Sequence, residues 1–149
     1  MAVEDAPEIE ELIRRLNDAY RSGDIDTVAR SLSSDSATMV VGSDASEVAR
    51  GRDEAASMLR GDVDQRPADA PGWSIEEIDA FREGDVAWAT VLGPYPIGEA
   101  DAIPARGSVV FRREDGDWKI VNWTFSLAVP NDTLQPGSPV LAALAVAHV

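Results

Sequence analysis

The chain has 149 residues, of which 44% are hydrophobic and 27% charged, which is typical of one globular domain and excludes a disordered chain. Its 13 basic and 27 acidic residues give a formal net charge of −14, which disfavours binding to nucleic acid or to anionic lipid. The absence of cysteine excludes disulfides, thiolate nucleophiles and cysteine-bound metals.

Neither a secretory signal nor a membrane span is indicated. The first residues, MAVEDAPEIEE, are acidic and lack the cationic head and apolar core of a signal peptide. No stretch approaches the roughly 20 apolar residues that a membrane-spanning helix needs. We therefore expect a cytoplasmic protein.

Three helices are predicted in the first half of the chain. From Pro7 to Arg21 apolar residues recur at helical spacing, with acidic residues in the first turn and arginines further along. Gly23 can end this helix in a left-handed turn, and Asp24 can cap a second short helix. A third helix is predicted from Arg52 to Arg60, with Gly61 just past its end.

Strands dominate the rest of the chain. A short strand is predicted from Ala37 to Gly42, and residues 61–72 read as a loop by composition. Four longer strands follow, from Ser74 to Arg82, Val86 to Tyr95, Arg106 to Glu114 and Trp118 to Val129. The glycine-containing turns at 83–85 and 114–117 predict hairpins, because Gly supplies the positive φ that such turns need.

The order of these elements predicts an α+β fold, with helices packed on one face of a curved antiparallel sheet. Three prolines, Pro94, Pro96 and Pro104, predict that the connection between the second and third long strands bulges or lies at an edge. We divide the chain into a domain at 1–132 and a tail at 133–149. The tail is interpreted as a short helix, a swapped dimer arm or a frayed end.

The last long strand is apolar at almost every position, so both of its faces are predicted to be covered. Helices can bury only one face, and a second copy of the chain is the simplest cover for the other. We assign Val121, Trp123 and Phe125 to the inner face; the reverse assignment is the alternative. The outer, dimer-forming face then carries Trp118, Ile120, Asn122, Thr124 and Ser126.

Four segments resemble, in order, the SnoaL-like, nuclear-transport-factor-2-like superfamily with its ketosteroid-isomerase-like fold. They are AYRSGDIDTVARSLSSDSATM (the helix–Gly-Asp–helix–strand opening), ARGRDEAASML (third helix), GDVAWATV (central strand) and DGDWKIVNWTFSLAVPND (last strand). The resemblance covers about residues 8 to 132. It implies a cone-shaped α+β barrel whose curved sheet wraps around the N-terminal helices, a pocket at the wide end and dimerisation through the outer sheet face.

The resemblance does not imply one reaction, since the fold hosts isomerases, cyclases, hydrolases and binding domains. Many relatives have His-Phe-Ser in the last strand, whereas Thr124 stands in place of that histidine here. Alignment with the ketosteroid isomerases puts Leu16 and Val41 where those enzymes have an oxyanion tyrosine and a base. The lone histidine, His148, is next to last, which argues against a Ser-His-Asp triad and histidine-bound zinc.

An Asp-Arg-Asp relay like that of the limonene-epoxide hydrolases finds the right residue types but no supporting spacing. The candidates are Arg106 with Asp79, Asp85 or Asp101. The alternative is that these charges are solvated loop ends. The sequence therefore assigns no catalytic residue.

A cavity lining is nevertheless predicted. Tyr20 falls on the apolar stripe of the first helix, so its hydroxyl must find a partner or open into a pocket. Arg106 follows a loop and could meet an anion at the mouth; the alternative is a surface ion pair. The predicted lining is Tyr20, Trp73, Trp88, Tyr95, Arg106, Trp123 and Phe125, each aromatic residue having a plain core role as its alternative.

We therefore expect a homodimeric domain that binds a small, largely apolar molecule, with no cofactor, metal, nucleic-acid partner or membrane partner. One alternative is an isomerase, cyclase or hydrolase of a polycyclic or polyketide-like substrate, with Tyr20 and acidic residues in acid–base roles. It requires at least one buried carboxylate that faces the cavity with a raised pKa. Another alternative is an association domain whose cavity is vestigial.

Overall fold

The computed structural model describes residues 1–97 and 101–146. Its helices are α1 (Pro7–Arg21), α2 (Ile25–Ser31), α3 (Gly51–Gln65) and α4 (Pro139–Val146), and a short 3-10 helix spans Asn131–Leu134. Its strands are β1 (Glu4–Asp5), β2 (Met39–Val41), β3 (Val48–Arg50), β4 (Glu77–Glu83), β5 (Val86–Pro96), β6 (Ala102–Glu114) and β7 (Asp117–Leu127). None of the helices within these ranges combines the length and apolar character needed to cross a membrane.

The strands form one curved, unclosed sheet in the order β1-β4-β5-β6-β7-β2-β3. All neighbours are antiparallel except β2 and β7, which run parallel, with Val40 opposite Trp123. The predicted α+β class with a curved sheet is confirmed, and the one parallel pair is an addition to it. The strands β1 and β3, of two and three residues, were not predicted, because segments so short carry no periodic pattern.

The first helix packs on the concave face of the sheet, as its apolar stripe predicts. Ile9 and Ile13 are fully buried and Leu16 nearly so. The predicted bounds of α1 are confirmed, as are the left-handed Gly23 (φ 82°) after it and the Asp24 cap. The backbone N–H of Thr27 donates to the Asp24 carboxylate at 3.1 Å, which fixes the start of α2.

The third helix is longer than predicted. It continues from Arg60 through Gly61 to Gln65, so Gly61 lies inside the helix and does not end it. Glycine costs a helix interior only about 1 kcal/mol relative to Ala, which packing of the flanking turns can offset. The extension carries Asp62 and Gln65, placed in a loop by the prediction, onto the helix.

A β-bulge in β7 reverses the face assignment for part of that strand. Val110 of β6 pairs with Asn122, but the next residue, Phe111, pairs with Ile120, so Val121 has no partner across the ladder. Ile120 is consequently buried on the inner face at 1% exposure. Trp118, two residues earlier, packs against the same core. The predicted outer positions of Trp118 and Ile120 and the inner position of Val121 are therefore wrong.

The three prolines lie near the adjoining ends of β5 and β6. Pro94 pairs with Pro104 in a β5–β6 register that is unbroken from Val86 to Pro96, so the predicted bulge is absent there. Pairing of β4 with β5 ends at Leu92, but beyond it the backbone N–H of Ser74 donates to the carbonyl of Pro94 at 3.2 Å, and the N–H of Ala128 donates to the carbonyl of Pro104 at 2.7 Å. Pro94 and Pro104 thus have a neighbour on both sides, so the expected edge is not found at them either; they are tolerated because each accepts through its carbonyl and no N–H is needed there.

The tail beyond the last strand contains the short 3-10 helix and α4, as the first of its three interpretations predicts. The side chains of Val140 and Leu141 in α4 are more than a third exposed. His148, the lone histidine of the sequence analysis, lies outside the described residues.

Candidate functional site

A cavity of about 730 Å³ lies between the concave face of the sheet and the helices. The helices α1, α2 and α3 form one side of it, and β2, the end of β5 and the second half of β7 form the other. Its volume falls within the range of about 300–1,000 Å³ that is usual for small-molecule sites.

Trp73 forms the fixed part of the apolar wall. Its indole Nε1 donates to the carbonyl of Gly93 at 3.0 Å, and its own carbonyl accepts from Nδ2 of Asn17 at 3.1 Å. The Phe125 ring meets it edge-on, with 5.1 Å between ring centroids, and the Tyr95 ring lies 5.6 Å from that of Phe125. Two hydrogen bonds and two ring contacts therefore set the shape of this wall without any ligand.

Five of the seven residues predicted to line the cavity lie around it. They are Tyr20, Trp73, Tyr95, Trp123 and Phe125. Trp123 and Phe125 are thus on the inner face of β7, as the sequence analysis assigned them. Trp73 is the most enclosed of the five, at 5% exposure, and the other four remain partly exposed.

The predictions for Trp88 and Arg106 are wrong, because strand alternation turns both side chains away from the cavity. Ala87 and Ala89 are buried on the inner face, so Trp88 between them points outward, where its ring lies 6.3 Å from that of Phe81. Arg106 is exposed between the inward-facing residues Ala105 and Gly107. The strand β6 therefore places no arginine at the mouth of the cavity.

The polar end of the cavity is formed by residues that the sequence analysis missed, around Tyr20. Arg66, at the end of α3, stacks its guanidinium 5.0 Å from the centre of the Tyr20 ring. Its Nη2 donates to the carbonyls of Tyr20 and Arg21 at 3.0 and 3.1 Å, which satisfies the free end of α1. Asp62, one helical turn before Arg66, lines the same end, as does Glu47 from the β2–β3 connection.

The protonation equilibria of Asp62 and Tyr20 are both displaced. Burial raises the pKa of the Asp62 carboxyl, and the negative charge of Glu47 adds to the increase. A hydrogen bond from the Tyr20 hydroxyl and the charge of Arg66 oppose it. Burial, followed by the charge of Asp62, raises the pKa of Tyr20 strongly, so its hydroxyl stays protonated and acts as a donor.

One sequence signal could have identified these residues. Met58, Asp62 and Arg66 recur at a spacing of four, which places them on one face if the helix continues through Gly61. The predicted helix end at Arg60 hid this pattern. Glu47 follows no such rule, because it lies in a connection whose position depends on the pairing of β2 with β3.

The outer face of the sheet carries two of the residues that were predicted to form the dimer interface. Asn122 and Thr124 alternate with the inward-facing Trp123 and Phe125, as their assignment to the outer face requires. A shallow hollow of about 320 Å³ lies on this face. Its lining includes Val86, Val110, Val121 and Asn122, together with the charged residues Asp35 and Arg112.

Neither a metal site nor the hydrolase-like relay is assembled by the residues that the structure describes. Within 1–97 and 101–146, no group of three or more histidine or carboxylate side chains is placed to hold a metal ion. Asp79, Asp85, Asp101 and Arg106 are all exposed, and none of them lines the cavity.

Solved structures share this fold at low sequence identity. An NTF2-like protein of unknown function from Pseudomonas putida superposes with a TM-score of 0.74 at 20% identity, over 87% of this chain and 90% of that one. An NTF2-like protein with a cystatin-like fold from Novosphingobium aromaticivorans gives 0.68 at 22% identity, over 94% and 88%. A provisionally assigned ketosteroid isomerase from Parabacteroides distasonis gives 0.63 at 18%, over 80% and 88%.

No curated protein matches the sequence at a significant level. The family model of the SnoaL-like domain, however, matches residues 9–130, which include all but the first two residues of α1 and the whole of β7. The resemblance stated from the sequence is thereby confirmed. This chain belongs to the SnoaL-like family and has the fold of the NTF2-like proteins.

Proposed function

We propose that this SnoaL-like domain binds a small, largely apolar molecule in the cavity between its sheet and its helices. The observation that carries the proposal is the cavity itself, about 730 Å³ with one wall of aromatic rings held by Trp73 and one polar end at Tyr20. A wall that is fixed in advance loses little conformational entropy on binding. A few polar groups facing an apolar wall are the usual composition of a ligand site.

Titration calorimetry with a neutral aromatic alcohol, naphthylethanol, tests this proposal. Trp123→Leu removes a ring from the cavity and should weaken binding about tenfold, which corresponds to about 1.4 kcal/mol. Trp88→Leu is the matched control, because that tryptophan lies on the outer face and should leave the affinity unchanged. Equal affinities for both variants, or no binding to the parent protein, would contradict the proposal and favour an association domain with a vestigial cavity.

We also propose that the domain forms a homodimer through the outer face of its sheet. Support comes from the apolar side chains there, of which Val86 is 44% exposed, and from the uncharged Asn122 and Thr124 beside them. The two charged residues that line the hollow, Asp35 and Arg112, form an ion pair with each other at 3.3 Å, so this patch adds little to the repulsion between two copies of a chain of net charge −14. Uncharged hydrogen-bonding side chains can also pair with themselves across a two-fold axis.

Sedimentation velocity at micromolar concentration tests the dimer. The parent chain should sediment as a dimer, and Thr124→Arg should shift it to the monomer by placing a charge in the patch. Ser22→Arg, at the exposed end of α1, introduces the same charge elsewhere and should leave the dimer intact. A monomeric parent chain would overturn the proposed interface.

An enzymatic role is the second candidate, and Asp62 is the observation that favours it. Asp62 lines the cavity beside the donor hydroxyl of Tyr20 and has a pKa raised by burial, which are two parts of the condition set for an acid–base enzyme, but its side chain is only partly buried. In an isomerase of a cyclic ketone, Asp62 would accept the proton from the carbon beside the carbonyl. Once Asp62 has taken up this proton, the Tyr20 hydroxyl, which donates to the Asp62 carboxylate in the unliganded protein, would donate to the enolate oxygen and stabilise it.

Hydrogen–deuterium exchange of an enolisable bicyclic ketone, tetralone, in heavy water tests this chemistry by NMR. Exchange at the carbon beside the carbonyl should exceed the buffer rate with the parent protein and return to it with Asp62→Asn. Exchange at the buffer rate with the parent protein would exclude this enolisation and leave the binding role.

A further inference from the structure

Three charged side chains line the described part of the cavity, and they are not equally accessible to a ligand. They are Glu47, Asp62 and Arg66. Nη2 of Arg66 is bound to the two carbonyls at the end of α1, and its Nη1 is buried out of contact with solvent and has no hydrogen-bond partner. A ligand in the cavity therefore meets the two carboxylates more readily than the guanidinium.

Among the described residues, no counter-charge lies within ion-pair distance of the Asp62 carboxylate, although the charge of Arg66 one helical turn away favours its ionised form. In the ranges 1–97 and 101–146, no lysine or arginine forms an ion pair with Asp62 or Glu47. Burial and the charge of Glu47 both disfavour the ionised form of Asp62 and raise its pKa. A cation placed beside Asp62 would relieve this penalty, because the attraction between opposite charges grows as water is excluded.

The rest of the cavity suits an organic cation better than a metal ion. The Trp73, Phe125 and Tyr95 rings form a continuous apolar wall, and the faces of aromatic rings attract ammonium groups as well as hydrocarbon. The protein's net charge of −14 raises the local concentration of cations and lowers that of anions.

We propose that the cavity selects a positively charged amphiphile, an organic amine with a ring-containing apolar body, over neutral and acidic molecules of the same shape. Asp62 pairs with the ammonium group, and the rings around Trp73 hold the body. This selectivity rests on the proposed binding function and adds to it the charge of the ligand.

Three probes with the same ring system separate the two proposals: naphthylethylamine, naphthylethanol and naphthylacetic acid. Calorimetry at neutral pH and physiological ionic strength should give the amine an affinity about tenfold above that of the alcohol, which corresponds to about 1.4 kcal/mol. The acid should bind more weakly than either. Asp62→Asn should remove the advantage of the amine, so that the amine and the alcohol bind the variant with equal affinity.

Asp64→Asn is the matched control. Asp64 lies two residues further along α3 and is exposed, so the same loss of charge there should leave the preference for the amine in place. A pH series adds a second readout, in which affinity for the amine falls as Asp62 becomes protonated. Glu47, Tyr20 and Arg66, which act on that carboxyl, are unchanged in the control.

The outcomes distinguish the two proposals. If the alcohol binds and the amine has no advantage, or the acid binds most tightly, the charge selectivity is overturned and the binding function stands. A preference for the amine that survives Asp62→Asn overturns the role of Asp62. If none of the three probes binds, both the binding function and the selectivity are overturned.

Discussion

Gly107 of β6 lies directly against the indole ring of Trp73. A Cβ atom built at Gly107 would be 3.0 Å from Cη2 and 3.4 Å from Cζ3 of that ring. These distances are shorter than an ordinary van der Waals contact between carbon atoms. The missing side chain therefore lets the ring rest on the strand and fixes the depth of the cavity at this wall.

Gly107→Ala should displace the Trp73 ring and destabilise the protein by about 1–3 kcal/mol, the usual cost of inserting a methyl group into a packed interior. Chemical denaturation gives the free energy of unfolding, and the tryptophan emission spectrum reports the changed surroundings of the ring. An unchanged free energy of unfolding would mean that the ring has room to move away from β6.

Gly61→Ala should act in the opposite direction. A Cβ at this position would meet only Nε2 of Gln65, at 4.0 Å, and alanine is a better helix former than glycine by about 0.5–1 kcal/mol. The free energy of unfolding should rise by that amount. A decrease would indicate that α3 ends near Arg60, where the sequence placed its end.

Asp62→Asn should change how stability depends on pH. The pKa of Asp62 is raised in the folded protein above its ordinary value of 3.8, so the folded state binds this proton more tightly than the unfolded state. The stability that this provides is fully present below pH 3.8 and is lost as pH rises through the raised pKa. The amide introduced by Asp62→Asn does not titrate, so the variant does not lose this stability as pH rises. The free energy of unfolding of Asp62→Asn, relative to that of the parent protein, should therefore increase from acidic to neutral pH.

Urea denaturation of the two proteins at acidic and at neutral pH measures that difference. Asp35 and Glu114 act in the opposite sense, because hydrogen bonds from Ala37 and Ser33, together with Arg112, lower their pKa values, but they are common to both proteins and cancel. Asp64→Asn controls for the change in net charge. Parallel pH profiles for the parent protein and Asp62→Asn would contradict the raised pKa.

Ile120→Ala and Val121→Ala test the bulge in β7. Ile120 is 1% exposed, so truncation should cost about 2–5 kcal/mol, whereas Val121 on the outer face should cost about 1 kcal/mol or less. Both values come from chemical denaturation. The opposite order would restore the face assignment that simple alternation predicts.

The elements with local signals were predicted well from the sequence. The bounds of α1, the left-handed Gly23 and the Asp24 cap depend on residues within one or two turns of each other. The reversal at Ile120 and Val121 depends instead on which residues of β6 lie opposite, and that pairing is not written in β7 itself. A prediction that inward and outward residues alternate without interruption therefore assigned Trp118 and Ile120, which precede the bulge, to the wrong face.

The candidate site was predicted in part for the same reason. The alternation of side chains along β5 shows that Trp88 faces the opposite way from Ala87 and Ala89, but it does not show which of the two faces the helices cover. Trp88 was therefore assigned to the same cavity as Trp123, although only Trp123 lines it. Asp62 and Arg66 were missed because Gly61 was interpreted as a helix end. The apolar wall follows from composition, whereas the polar end follows from the true length of α3.

The parallel pairing of β2 with β7 joins an early part of the chain to a late one, with Met39 opposite Asn122. On the ribosome, β2 emerges long before β7 has been synthesised, so the edge of β2 that faces β7 stays unpaired until β7 emerges. Contacts between residues so distant in sequence slow folding, because the intervening chain must be closed into a loop first. The cavity is therefore complete only after β7 has emerged, and the proposed ligand should bind a nascent chain no earlier than that.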